Sequence, residues 1–194
     1  MVRGKGKVDK WKTKSWYNVL APELFERKEI AQIVATEDND LVDRVVEVGM
    51  DELTGDHTHG YANLKFRVNE VKGRNALTTF IGHELSRNYL KTMVRRRKSV
   101  IREVVDAVTK DGKGMRIKVV VFTGVRIKAN AKTGIRLAVE EIVKNHCKGI
   151  TLAQLEQEVL FKKFSSFIYK QIKKIAPVRR VEIRKTELKE KTVS

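Results

Sequence analysis

The histidines are the first residues in this chain whose spacing could support chemistry. His57 and His59 form a His-x-His pair that could share a metal ion, with His146 and Cys147 as distant candidate ligands. Zinc sites are usually completed by a second tight pair of ligands, and the sequence has none. We therefore interpret this stretch as an exposed polar loop and predict no metal site.

Other sequence signatures of catalysis are incomplete. The acidic cluster of Glu37, Asp38, Asp40 and Asp43 lacks the glycine and the terminal glutamate of a calcium loop. The Gly-Lys-Gly stretches that begin at Gly4 and Gly112 have no hydroxyl residue after the lysine, as a phosphate loop requires. There is no Gly-x-Ser-x-Gly nucleophile elbow. We predict no catalytic residue and no cofactor, and hence a protein that is not an enzyme.

The basic residues are a stronger signal. The 194 residues include 41 Lys or Arg and 24 Asp or Glu, a formal net charge of +17. Residues 21–60 carry a net −8, whereas residues 1–20, 61–129 and 130–194 carry +5, +12 and +8. Such an excess attracts a polyanion, because each cation placed on a phosphate releases condensed counterions. The leading predicted partner is nucleic acid.

An anionic membrane is the competing partner. It would call for a basic amphipathic helix or a lipidation signal, whereas residues 1–20 are typical of an extended arm. The aliphatic run at 119–122 is too short to span a bilayer, and no apolar stretch follows the basic N-terminus as in a secretory signal. The single cysteine, Cys147, fits a reducing compartment. We expect a cytoplasmic protein with no membrane partner.

Three groups of side chains are candidate phosphate contacts. Four consecutive cations at 95–98 end a predicted helix and exceed what a helix terminus needs. Further cations lie beside predicted strand ends, and others alternate along the N-terminal arm. The candidate RNA-binding set is Arg3, Lys5, Lys7, Lys10, Trp11, Lys12, Lys14, Arg74, Arg95, Arg96, Arg97, Lys98, Arg126 and Lys128.

Hydrophobic patterning predicts the elements that position these residues. Strands are predicted at 43–53, 64–73, 75–85 and 115–127, and a helix begins after Ser86. Residues 100–109 fit either a helical stripe or a strand, and we favour a strand because the turn at 110–114 then makes a hairpin. Helices are predicted at 131–146 and from about 151 towards Pro177, followed by a closing strand at about 178–188. The predicted fold is α+β, with a mostly antiparallel, barrel-like β-sheet and flanking α-helices.

Several blocks of the sequence resemble a known family. KSWYNVLAP (14–22), DRVVEVGMDEL (43–53), the long block 66–112 and RIKVVVFTGVR (116–126) are similar to successive blocks of the S-three-Ae (S-one-e) family of small-subunit ribosomal proteins. The similarity continues through 132–145 to VRRVEIRKTEL (178–188). Eukaryotic members have a long tail beyond the last strand, so the resemblance is to the archaeal type.

The resemblance implies a partner and a place. Members bind rRNA on the platform of the small subunit, near the mRNA exit, beside other small-subunit proteins, and mRNA is a further candidate partner there. We expect a basic arm at 1–14, a single domain at 15–189 and a short tail at 190–194. The acidic region 37–56 would then face solvent or a basic neighbouring protein. The alternative that the same surface leaves open is a free RNA-binding regulator or RNA chaperone.

The resemblance also separates the two tryptophans. The Trp-Tyr block opens the folded domain in the family, which implies that Trp16 and Tyr17 are core or barrel-closing residues. Trp11 lies in the basic arm, where it could stack on an unpaired rRNA base while Lys10, Lys12 and Lys14 hold phosphates.

Overall fold

The computed structural model of the chain describes Trp11 and residues 13–189, apart from the side chain of Thr58. Within these residues there are eight β-strands and five α-helices. The strands are β1 (Ser15–Leu20), β2 (Glu29–Ala35), β3 (Val45–Gly49), β4 (Ala62–Lys72), β5 (Asn75–Leu85), β6 (Val100–Val108), β7 (Gly114–Thr123) and β8 (Val178–Lys189). The helices are α1 (Met50–Thr54), α2 (Arg87–Met93), α3 (Ala129–Gly149), α4 (Leu152–Leu160) and α5 (Lys163–Ile172).

The strands form a mixed sheet in the order β2-β1-β5-β8-β7-β6, and β4 pairs with both β3 and β5. Residues 75–77 of β5 run parallel to β1, whereas residues 82–84 of the same strand run antiparallel to β8. The α+β class is confirmed. The predicted barrel-like, mostly antiparallel sheet is not, because the described sheet contains a parallel pairing and its path ends at β2 and β6 without closing.

The chain divides into two compact units. One comprises the residues up to 60 together with 64–80, and the other comprises 61–63 and the residues from 81 onward. The sequence predicts a single domain at 15–189, and this division into two units does not decide between one domain and two.

The first unit has its own small core around β1. Tyr17 and Val19, at alternate positions of the strand, pack with Leu41 and Val68. The Tyr17 hydroxyl donates a 2.7 Å hydrogen bond to Asp38 Oδ1, and this bond is the main cause of the raised pKa of Tyr17. One member of the acidic cluster therefore has a structural role.

Trp16 and Tyr17 have different environments because successive residues of a strand point to opposite faces of the sheet. Tyr17 is only 7% exposed, whereas Trp16 is 60% exposed. The prediction of a core position is confirmed for Tyr17 and wrong for Trp16.

The second unit packs β6, β7 and β8 against three helices. Its core cluster includes Ile117, Val119 and Val121 of β7, Val139 and Val143 of α3, Leu155 of α4 and Ile168 of α5. The opposite face of β7 is also buried, since Val120 and Phe122 are each 4% exposed. Strand β7 is thus buried on both of its faces.

The ambiguous segment at 100–109 is confirmed as a strand. β6 pairs with β7 in unbroken antiparallel register from Val100 opposite Phe122 to Val108 opposite Gly114. The predicted helices at 131–146 and from 151, and the closing strand, are confirmed as α3, α4 and β8. Helix α4 begins with a capping box, in which the Thr151 side chain accepts from the Gln154 N–H.

Three predicted elements are wrong in part. The strand predicted at 115–127 ends at Thr123 as β7, so Arg126 lies on the loop beyond it. The strand predicted at 43–53 stops at Gly49, and Met50 and Leu53 are both buried on the short helix α1. Three residues apart, these two side chains share a helical face, which outweighs the local β-branched composition. The helix that is predicted to continue towards Pro177 is interrupted after Leu160. Lys162 has a φ of 59°, in the left-handed region, so the helix breaks there and α5 begins at Lys163.

Gly82 marks a close approach of β5 to β8. A Cβ atom at this position would collide with the carbonyl oxygen of Thr186 and lie 2.9 Å from the carbonyl carbon. These are backbone atoms in the segment where residues 82–84 pair with β8, so they cannot move without breaking the pairing. We infer that only glycine fits at this position.

We expect Gly82→Ala to lower the free energy of unfolding by about 3 kcal/mol, because the added methyl group overpacks the backbone of β8. Gly134→Ala is the matched control, since nothing lies within 4 Å of a Cβ at that position of α3. The control should raise the free energy of unfolding by about 0.5–1 kcal/mol through helix propensity. Urea unfolding measures both, and equal effects would contradict the close approach.

Candidate nucleic-acid interface

The basic run at 95–98 follows helix α2 instead of ending it. The helix stops at Met93, Val94 is extended with ψ of 124°, and Arg97 has a φ of 57°. Arg95, Arg96 and Arg97 are therefore displayed from a turn, with exposed side chains, while Lys98 is half-buried. The predicted helix is shorter than expected, because its last turn is replaced by this basic turn.

Two buried hydroxyl residues fix the base of the turn. The Ser99 N–H donates to Thr123 Oγ1 at 2.9 Å, and the Thr123 N–H donates to the Ser99 carbonyl at 3.0 Å. Thr123 Oγ1 lies 2.6 Å from the Val125 carbonyl, and Ser99 Oγ accepts from the Ile127 N–H at 3.2 Å. The segments on either side of the β6–β7 hairpin base are thereby held together.

This tie brings two of the predicted groups of cations to one end of the second unit. Arg126 and Lys128 lie on the loop fixed by Ser99 and Thr123, and both are exposed. The Gly124 N–H also donates to the Pro177 carbonyl at 2.8 Å, which anchors the start of β8 beside the same loop. Arg179, exposed at the second position of β8, therefore belongs to this end. We call Arg95, Arg96, Arg97, Lys98, Arg126, Lys128 and Arg179 the hairpin-base surface.

Helix α2 is held to β8 by a polar network around Tyr89. The Tyr89 hydroxyl accepts from Arg180 Nη2 at 2.9 Å and lies 3.3 Å from Glu182 Oε1, to which it donates. Its ring stacks on Tyr61 with centroids 4.1 Å apart, and Lys162 Nζ lies 4.5 Å from the Tyr61 centroid. Burial, followed by the Glu182 charge, raises the pKa of Tyr89, so the phenol stays protonated. The network fixes the helix from which the basic turn departs.

The opposite end of the same strands carries cations that are already neutralised. The pairs are Arg116–Asp106 at 2.8 Å, Lys189–Asp106 at 2.5 Å, Lys118–Glu187 at 3.0 Å and Lys185–Glu187 at 2.6 Å. The hydrogen bonds from Arg116 and Lys189 hold the pKa of Asp106 well below its usual range. Among the described residues, no member of the hairpin-base surface has a carboxylate within ion-pair distance.

The remaining predicted contacts lie in the first unit or outside the described residues. Arg74 is exposed in the β4–β5 turn, where its carbonyl accepts from the Asn18 N–H at 2.8 Å. Trp11 is 65% exposed, and Lys14 Nζ lies 4.8 Å from the centroid of its ring. Arg3, Lys5, Lys7, Lys10 and Lys12 lie outside the described residues.

Sequence reasoning did not select every cation at the hairpin base. Arg179 was missed, as were Arg87, Lys91, Arg102 and Arg184, which lie on α2 and on the outer face of β6 and β8. The pair Arg179–Arg180, which follows Pro177 and Val178, is a usable signal, because cations near the start of a strand lie at an end of the sheet. The others are scattered in sequence and come together only through strand pairing.

The candidate metal ligands His146 and His59 have neighbours within the protein. His146 Nε2 lies 2.6 Å from Glu158 Oε2, and its ring stacks on Phe164. His59 lies 3.9 Å from an Asp56 oxygen. Over Trp11 and 13–189, no three His, Cys, Asp or Glu side chains are grouped so that they could hold a metal ion. No helix in these ranges is both long and apolar enough to cross a membrane.

The fold and this surface define an α+β protein with exposed cations at one end of its second unit. The sequence model of the Ribosomal S3Ae family matches residues 3–192. The chain therefore belongs to the Ribosomal S3Ae family, as the resemblance in its sequence indicates.

Three archaeal relatives are each named small ribosomal subunit protein eS1. The protein from Staphylothermus marinus is 40% identical over 93% of this chain and 85% of its own length. The protein from Archaeoglobus fulgidus is 42% identical over 93% of this chain and 86% of its own. The protein from Sulfurisphaera tokodaii is 39% identical over 93% of both chains. These similarities confirm the archaeal type of the family.

We expect Thr123→Val to lower the free energy of unfolding by about 1–3 kcal/mol, because the Ser99 N–H loses its acceptor in a buried site. Thr133→Val is the matched control, since the Thr133 hydroxyl donates to the Ala129 carbonyl on an exposed helix face. Urea unfolding should show a change within about 0.5 kcal/mol for the control. A Thr123 variant as stable as the control would contradict the role of this tie.

Proposed function

We propose that this protein is a structural component of the small ribosomal subunit, which binds small-subunit rRNA on the platform near the mRNA exit. It supports translation in the cytoplasm, beside other small-subunit proteins, and mRNA near the exit is a further proposed contact. The family and the names of the archaeal relatives support the ribosomal role. The platform position follows from the resemblance stated above.

The observation that supports rRNA binding most strongly is that the cations of the hairpin-base surface come from separate chain segments and lie together. Three chain segments distant in sequence are tied by backbone and hydroxyl hydrogen bonds so that their cations lie at one end of the second unit. Cations without a protein partner gain the most from phosphate, since no existing ion pair has to be broken. The acidic stretch 37–56 would repel phosphate, and we assign it to solvent or to a basic neighbouring protein.

The proposal also covers the N-terminal arm. The candidate cations of residues 1–14 would follow the rRNA backbone, and the exposed ring of Trp11 would stack on an unpaired base. Arg74 would add a phosphate contact from the first unit.

Sedimentation separates a ribosomal component from a free RNA-binding regulator. We expect the native protein in a cell extract to sediment with the small subunit in a sucrose gradient at low and at raised salt, since many contacts must break together. A pool at the top of the gradient at both salt concentrations would support the regulator instead.

We expect the variant Arg95→Gln, Arg96→Gln, Arg97→Gln to reduce the salt dependence of binding to purified small-subunit rRNA. The slope of log affinity against log salt should fall in magnitude by about 2–3, at roughly 0.7–0.9 for each lost phosphate contact. The matched control, Lys170→Gln, Lys173→Gln, Lys174→Gln, removes the same charge from exposed positions on and just after α5. Equal slopes for the two variants would show that net charge alone controls binding.

We expect Trp11→Ala to weaken binding to single-stranded rRNA segments by about 1–3 kcal/mol without changing the salt slope, because a stacking contact carries no charge. Trp16→Ala, on the exposed face of β1, is the control with the same side-chain loss. Filter binding at several salt concentrations measures both, and unchanged affinity for the Trp11 variant would remove stacking from the proposal.

A further inference from the structure

A groove lies between helix α2 and the outer face of the β6–β7 hairpin, wholly within the second unit. Its volume is about 190 Å³, and its apolar side is formed by Leu90, Val94, Val100, Val120 and Phe122. Ligand pockets for larger molecules are usually about 300–1,000 Å³, so this groove suits a group of the size of one planar ring.

Strand pairing determines which side chains reach the groove. Val100 lies opposite Phe122, and Arg102 lies opposite Val120, so these four side chains share one face of the hairpin. Ile101 and Val121 point to the other face, where they belong to the core. Val94, the residue after α2, is 48% exposed although it lines the groove, which leaves apolar surface in contact with solvent.

The rim of the groove is cationic. It is formed by Arg87 and Lys91 of α2, Arg102 of β6 and Arg184 of β8. Within the described part of the chain, none of these four side chains forms an ion pair. The paired cations at the other end of the hairpin show that this is a local property, not a consequence of the overall basic composition.

An apolar floor with a cationic rim matches a nucleotide. A base can bury its flat, weakly hydrated faces on the floor while the phosphates on either side reach the rim. The phosphates of an intact duplex could contact only the rim, because its bases remain stacked on one another. The groove also adjoins the hairpin-base surface, since Arg95 follows Val94 directly.

We propose that this groove binds one unstacked base of a single-stranded RNA segment, with flanking phosphates on Arg87, Lys91, Arg102 and Arg184. The proposal rests on the proposed rRNA binding. It adds that this face recognises RNA that is single-stranded and has an unstacked base. Segments of rRNA that are unpaired are the expected ligands, and recognition depends on base contact as well as on charge.

The test compares a floor variant with a matched control in the full-length chain. The floor variant is Val94→Ser with Val100→Ser. The control is Val104→Ser with Val108→Ser, which removes two exposed valines from the same strand outside the groove. Circular dichroism and urea unfolding establish that both variants fold. The probes are a single-stranded RNA hexamer and an abasic ribose-phosphate strand of the same length.

We expect the floor variant to bind the hexamer roughly 5- to 100-fold more weakly than the control, since the loss corresponds to one base contact. Its affinity for the abasic strand should equal that of the control, because the rim charges are unchanged. A 2-aminopurine base in the hexamer should change its fluorescence with the control and not with the floor variant.

Four outcomes would overturn the proposal in distinguishable ways. Equal binding of the hexamer by both variants would remove the groove and leave rRNA binding intact. If the floor variant bound the hexamer and the abasic strand equally more weakly than the control, the substitutions would have disturbed the whole surface and not one base contact. Failure of the wild-type chain to bind either strand or purified small-subunit rRNA would remove the proposed function itself. Binding of an acidic, leucine-containing peptide that depends on the floor, with RNA binding unaffected, would assign the groove to a protein partner.

Discussion

Strand β7 has to bury side chains on both of its faces, and the second unit is organised around that requirement. One face supplies Ile117, Val119 and Val121 to the helical layer, and the other places Val120 and Phe122 under α2. A strand buried on both sides needs partners on both edges, and β7 has them in β6 and β8. Because β7 lies between two paired strands, the loop that follows Thr123 begins at a fixed position. Arg126 and Lys128 are displayed from this loop.

Carboxylates on β6 and β8 determine which of the cations on these strands are paired and which are not. Near the β6–β7 turn, carboxylates of β6 and β8 neutralise Arg116, Lys118, Lys185 and Lys189. Such exposed pairs contribute little to stability, typically about 0–1 kcal/mol each. Their effect is instead on the surface potential, because they cancel the positive charge at one end and leave it at the hairpin base. Unpaired positive charge therefore remains at the hairpin base, where the hydrogen bonds of Ser99 and Thr123 hold the backbone.

Local pattern was enough for the strands and helices with strong periodicity. β5, β6 and the helices α3 and α4 follow from alternation, a turn at 110–114 and a capping residue at Thr151. Strands β1 and β2 are missed. In β1, the exposed Trp16 breaks the expectation that aromatic residues are buried. The open, mixed sheet could not be predicted, because the parallel pairing of β1 with β5 is a long-range contact that leaves no local mark.

The candidate surface was predicted in part for the same reason. Runs such as 95–98 are visible in sequence, but whether a cation is already paired depends on the strand opposite it. Lys118 and Arg102 illustrate this: both lie on outer-face positions of the hairpin, yet only Lys118 meets a carboxylate. Charge counts alone therefore treat as equal two residues that differ in their readiness to bind phosphate.

The anchoring of the cations bears on how tightly a flexible polyanion can be held. Long basic side chains lose rotamer entropy when they bind, at about 0.5–1.5 kcal/mol for each immobilised side chain. If their backbone were also mobile, its ordering would add a further cost. At the hairpin base that ordering is complete before any ligand arrives, because Ser99 and Thr123 fix both segments inside the fold. More of the counterion-release free energy then remains as affinity, which is the physical advantage of displaying arginines from a hydrogen-bonded turn.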